Sequence, residues 1–95
     1  MDLVSDDEYA VLRRTLFAAR RRAGLTQQQL AARLLKPQSF VYKYELGARH
    51  VDVMEFIRVC YAIGADPHAL VDAILEAAPH LRVRRRKRPA NRGNA

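Results

Sequence analysis

Apolar residues recur every three or four positions along most of the chain, and short stretches rich in Gly, Pro, Asp, Ser or Thr interrupt that rhythm. Leu12, Leu16, Ala19 and Ala23 share one helical face; Leu30, Ala31 and Leu34 share a second; Val41 and Tyr44 share a third. Val53, Phe56, Ile57, Cys60 and Ile63 make a fourth apolar face, and Leu70, Val71 and Ile74 a fifth. The interruptions read as helix ends. Ser5 to Glu8, Thr26 to Gln29 and Asp52 to Glu55 each pair a capping side chain with an acid or amide three residues on, the signature of a capping box. Gly24, Gly47 and Gly64 fit left-handed stops. Pro37 suits the first position of the third helix, and Asp66-Pro67 opens the fifth, which stops before Pro79. Leu25, between the first two helices, is expected to plug the bottom of the core. No alternating, β-branched strand pattern is present, so the pattern predicts an all-α, five-helix domain over residues 1–79.

Composition narrows the function classes. A chain of 95 residues forms one domain with one core. It holds no uncharged apolar run of membrane-spanning length, and its acidic first residues lack the order of a signal peptide. A cytoplasmic, nucleoid-associated protein with no membrane partner is therefore expected. Heavy use of Arg and Ala suggests a bacterial source. The single cysteine, Cys60, permits no internal disulfide and is expected in the core. His50, His68 and His80 lack zinc-ligand spacing, so no metal or other cofactor is expected. No nucleophile–base set, paired-carboxylate site or phosphate-binding Gly loop is visible, which argues against an enzyme.

The net charge of +7 lies entirely in the tail. Residues 1–79 hold ten Lys or Arg and ten Asp or Glu, whereas residues 80–95 hold seven Lys or Arg and no acid. The tail is too polar to form a core and reads as a disordered basic arm, suited to DNA phosphates or the minor groove. The bland alternative is a solubilising terminus.

Residues 26–45, TQQQLAARLLKPQSFVYKYE, have the layout of a helix-turn-helix. Ala31 supplies the small residue where two helices cross, and Val41, ten positions later, faces back into the shared core. Gln38, Ser39, Tyr42 and Lys43 are then left on the outer face of the third helix. Gln can pair with adenine, Lys with guanine and Ser with either. Between Thr26 and His50 the only acid is Glu45, against Arg33, Lys36, Lys43 and Arg49, so this stretch is positive although the domain is neutral.

From about Leu12 to Leu70 the chain resembles the phage-repressor (Cro/repressor, or xenobiotic-response-element) family of lambda-repressor-like helix-turn-helix domains. The resemblance is carried by Arg20, Gly24-Leu25-Thr26-Gln27, Leu30-Ala31, Lys36 to Val41, Lys43-Tyr44-Glu45, Gly47, Arg49, and Phe56 with Ala62 to Pro67. It implies a DNA-binding transcriptional regulator. By this resemblance, Gln38, Ser39 and Lys43, with Tyr42 beside them, would read bases in the major groove. Gln27, Lys36, Arg49 and His50 would contact phosphates, Gln27 with help from the backbone N–H groups at its helix end. Arg20 and Glu45 would form an internal ion pair joining the first helix to the end of the third. The partner is double-stranded DNA, and one small domain implies a homodimer on a two-fold site, with the fifth helix contributing apolar surface.

Two positions depart from the family pattern. Leu35 stands in the turn where Gly is common. A Leu at positive φ there is strained by roughly 1–2 kcal/mol; the alternative is a negative φ with an altered helix angle. Tyr42 replaces a small residue on the reading face. It can stack on a sugar or press on a thymine methyl, or it can block close approach and turn this face toward a second regulatory protein. In that rival reading Tyr42, Phe40 and Leu46 form an adaptor surface; in another, the tail alone binds nucleic acid without specificity.

Overall fold

The computed structural model describes residues 6–82. Five helices follow one another: α1 (Asp6–Arg22), α2 (Gln27–Leu34), α3 (Gln38–Leu46), α4 (Val53–Ile63) and α5 (Pro67–Ala77), with a short 3-10 turn at Pro79–Leu81. The proposed Ser5 cap and residues 83–95 of the tail lie outside the described residues. His80 and Leu81, read from sequence as part of the tail, instead belong to the 3-10 turn, where His80 Nε2 lies 2.9 Å from Glu8 Oε2 on α1.

The helix ends follow the local chemistry. Thr26 Oγ1 accepts from the Gln29 N–H at 3.0 Å, and Gln29 Oε1 accepts from the Thr26 N–H at 2.9 Å, which satisfies two donors that a helix start leaves unpaired. Asp52 and Glu55 do the same for α4, at 2.7 and 3.0 Å. Asp66 Oδ1 accepts from the His68 N–H at the start of α5. Pro37 differs from expectation by one position: it is the capping residue of α3, with ψ 155°, and its ring can offer no side-chain hydrogen bond. The residue before Gln38 is extended because helical geometry begins only after it.

The turn between α2 and α3 settles the question posed by Leu35. Its backbone is left-handed, φ 57° and ψ 40°, the only positive φ outside glycine among the described residues. The chain accepts this strain because the reversal lets the Leu35 and Lys36 N–H groups bond to the Ala32 and Ala31 carbonyls at 3.2 and 3.0 Å. The Leu35 side chain is 92% exposed, so it contributes no packing in return.

The core lies where α1 meets α3, α4 and α5, and where α2 packs on α3 and α4. Leu16, Leu30, Val41, Tyr44, Val59 and Cys60 are fully buried there. Tyr44 and Phe40 meet edge to face, ring centroids 5.5 Å apart. Several core expectations need correction. Ala23 is exposed because α1 ends at Arg22, one residue before it. Val53, Ile57 and Val71 are exposed, since the inner faces of α4 and α5 are filled by Val59, Cys60, Ile63 and Leu70. Leu25, expected to plug the bottom of the core, is half-buried.

Candidate nucleic-acid interface

The site begins with a buried ion pair. Arg20, on α1, is 6% exposed. Its Nε donates to Glu45 Oε2 at 2.7 Å, its Nη2 to Glu45 Oε1 at 3.0 Å, and its Nη1 to the Leu25 carbonyl at 2.8 Å. The planar fork of a guanidinium suits this two-point grip on a carboxylate. The pair anchors the end of α3 to α1 and fixes the loop that leads into α2.

Glu45 does more than neutralise Arg20. Its Oε1 also accepts from Gln27 Nε2 at 2.8 Å. An ionised carboxylate only accepts hydrogen bonds, so the Gln27 amide must turn its nitrogen toward Glu45. The Gln27 oxygen is thereby left to accept from Gln38 Nε2, at 3.3 Å. A line of oriented groups thus runs from the buried Arg20 through Glu45 and Gln27 to Gln38, the first residue of α3. It ends at an open cleft of about 530 Å³ lined by Arg20, Thr26, Gln27 and Gln38 among others.

The remaining base-reading candidates stand on the same exposed side of α3. Ser39, Tyr42 and Lys43 are exposed, Tyr42 by 51%. Lys36 is exposed just before the helix, its Nζ 5.2 Å from the Phe40 ring centroid. Phe40 itself is 8% exposed and belongs to the core, so it is unavailable to the adaptor surface suggested for Tyr42, Phe40 and Leu46.

The loop after α3 is built differently from the simple phosphate-contacting loop expected. Arg49 Nη1 donates to the His50 carbonyl and to Glu55 Oε1, both at 2.9 Å, and Nη2 donates to Glu55 Oε2 at 2.8 Å. Its guanidinium also lies over the Phe40 ring at 4.8 Å. This fork, with the Asp52 N–H bond, holds the Glu55 carboxyl down at about 2, from an ordinary 4.5. Arg49 therefore braces the loop first, leaving Nε–H and one Nη2 hydrogen for an outside acceptor. His50 is exposed and stacks on Tyr9, ring centroids 4.2 Å apart.

Tyr9 was not singled out by the sequence, yet it fixes this loop. Its hydroxyl donates to the Arg49 carbonyl at 3.3 Å and accepts the Val51 N–H. Burial raises the Tyr9 pKa, so it remains a neutral donor and acceptor. Only the position of Tyr9 near the start of α1 could have pointed to it, and an isolated Tyr there carries no distinguishing pattern.

The residues matched by the helix-turn-helix domain family run from 11 to 74, most of the chain. Among solved structures, the XRE-family-like protein of Pseudomonas syringae pv. tomato str. DC3000 is 46% identical, with a TM-score of 0.73 over 78% of this chain and 90% of that one. The chain belongs to the XRE family of helix-turn-helix domains. The clp gene regulator ClgR of C. glutamicum, at 21% identity, shares the fold with a TM-score of 0.68 over 75% of this chain and 92% of its own. A search of curated proteins finds none that matches. XRE membership makes the chain a helix-turn-helix domain of the DNA-binding regulator kind, in a family of regulators and not of enzymes. Among the described residues of this XRE domain, no helix is long and apolar enough to cross a membrane.

Proposed function

We propose that the chain binds duplex DNA with α3 in the major groove and regulates transcription from a two-fold site as a homodimer. Gln38, Ser39, Tyr42 and Lys43 face the bases in this reading, while Gln27, Lys36 and His50 meet phosphates, with Arg49 adding its two free N–H donors. The observation that carries it is the orientation of Gln27 and Gln38 by the buried Arg20–Glu45 pair. A solvated surface has no need to fix two amides through a buried carboxylate. The arrangement gives Gln38 an outward oxygen and one spare N–H, the acceptor–donor pair that matches the N6 and N7 edge of adenine.

The test is selection of bound sequences from random duplex DNA, with the full chain and with residues 1–82. Both are expected to enrich one palindromic site. On that site Gln38→Ala should weaken binding by roughly 1–3 kcal/mol and relax preference at one base pair per half-site. Unchanged affinity would remove Gln38 from the reading face. If only the full chain binds, and without sequence preference, the basic residues of the tail carry the interaction, and the six Lys or Arg of residues 83–95 then give the full chain a salt slope of about five units.

A further inference from the structure

A groove runs between α1 and α5, on the side of α1 turned away from α3. The two helices lie antiparallel, so that His80, just beyond the end of α5, meets Glu8 at the start of α1. Val11, Thr15 and Ala18 on α1, with Ala73 and Ala77 on α5, floor a cleft of about 320 Å³. The Thr15 hydroxyl donates to the Val11 carbonyl at 2.8 Å, which leaves its methyl for a neighbour. The alanines keep the floor low enough for another helix to approach closely. Arg14 and Arg22 stand along the α1 edge, both exposed, and neither pairs with an acid among the described residues. Arg22 lies about 200° round the helix from Arg20, the residue that α1 turns toward Glu45 on α3.

We infer that this groove docks an acidic amphipathic helix of a partner protein, with its carboxylates on Arg14 and Arg22 and its apolar stripe on the floor between α1 and α5. From Val11 to Arg22 the groove is about 16 Å long, three helical turns. Arg14 and Arg22 are about 12 Å apart along α1, which matches Asp or Glu seven or eight positions apart on a helix laid alongside. Each guanidinium offers a planar fork suited to a carboxylate. Charge also sets the direction of docking. Asp72 and Glu76 directly precede Ala73 and Ala77 and are exposed on α5, outside the cleft lining. Like charge on that edge keeps the partner's acids on the α1 edge.

A second copy of this chain is a poor occupant. Among the described helices, α1 carries Asp6, Asp7 and Glu8, α3 carries Glu45, α4 carries Glu55, and α5 carries Asp72 and Glu76. None of them offers two acids seven or eight positions apart. The groove also lies across α1 from the surface proposed for DNA, so a duplex and a partner helix can be held together. Exposed ion pairs contribute little each, so the apolar floor supplies most of the affinity and the two arginines supply the selection.

A displayed library of single helices about four turns long, randomised along one face and panned against the full chain without DNA, tests this. Helices with two acids seven or eight positions apart beside an apolar stripe should be enriched. Fluorescence anisotropy of a selected helix should show a loss on the order of tenfold when Arg14→Glu and Arg22→Glu are combined. Exchanging the two acids of that helix for Lys should restore binding to the double variant. Ala73→Leu fills the floor with a good helix former and should weaken binding on the order of tenfold or more, with helical circular dichroism intact. The charge swap reads the same groove independently of Ala73→Leu. No enrichment overturns the inference, as does enrichment of helices without the acid pair, or a charge swap that fails to restore binding. A lower mass of the Ala73→Leu variant in light scattering also overturns it, since a second copy would then be the occupant. Gln38→Ala should leave affinity for the helix unchanged, so failure of DNA reading and failure of this groove are separable.

Discussion

Glu45 Oε1 accepts both from Arg20 Nη2, at 3.0 Å, and from Gln27 Nε2, at 2.8 Å. One oxygen thus joins a stability element to the exposed edge of the surface proposed to face DNA, and the two roles can be separated. Glu45→Ala strands a buried guanidinium and should cost about 3–5 kcal/mol in urea unfolding. Arg20→Met combined with Glu45→Leu removes both charges and should recover most of that loss. The double variant should nevertheless bind the selected DNA site more weakly than wild type, because nothing then turns the Gln27 amide. Wild-type affinity in a folded double variant would show that the amides orient themselves without the pair.

Leu35 holds left-handed backbone with a side chain in solvent. Leu35→Gly therefore relieves strain of roughly 1–2 kcal/mol against the greater freedom of Gly in the unfolded chain, roughly 0.5–1 kcal/mol. The expected outcome is a modest rise in the urea midpoint with an unchanged slope. A fall in the midpoint would mean that Leu35 makes contacts that outweigh its strain.

Tyr44 is fully buried, and its hydroxyl has no hydrogen-bond partner among the described residues. Burial pushes its pKa far up, so the group is neutral yet still poorly solvated. Tyr44→Phe keeps the ring contact with Phe40 and removes the unpaired hydroxyl. It should stabilise the domain by about 1 kcal/mol, a shift of roughly 4–8 °C in Tm for a domain of this size. Destabilisation would reveal a partner for the hydroxyl.

Glu55 titrates near 2 in the folded chain and near 4.5 in the ordinary state. Its folded pKa is depressed, so the stabilisation it supplies is complete above the unfolded value and is lost as pH falls from about 4.5 to about 2. Glu55→Gln should flatten the acid dependence of stability in that window and leave it unchanged at higher pH. An unchanged acid profile would mean that the Arg49 fork does not persist in solution.

Much of this domain was legible in the sequence because helix ends are chemically explicit. Thr26, Asp52 and Asp66 cap where expected, and Gly47 and Gly64 stop helices where a left-handed residue is needed. The Arg20–Glu45 pair followed from the family resemblance and is present. What periodicity could not resolve is which of two adjacent apolar stripes faces inward. On α4 both Val53–Ile57 and Val59–Ile63 satisfy helical spacing, and only tertiary packing chooses the second. Arg49 shows the same limit for charge: its sequence position suits a phosphate, whereas its hydrogen bonds to Glu55 depend on how α4 begins. The Gln27–Glu45 and Tyr9–Val51 bonds join residues 18 and 42 positions apart, and no local rule announces them.

Tyr9 reaches the α3–α4 loop across sequence separations of 40 and 42 residues, whereas α2 and α3 are chain neighbours. Long closures come late when a chain folds, since their entropy must be overcome before they return any contact. The helical pair can therefore assemble early from local contacts, and the loop that follows it acquires its final shape only when the first turn of α1 docks. Amide hydrogen exchange at Val51 would then track the docking of α1, making the opposite end of the chain the timekeeper of the loop beside α3.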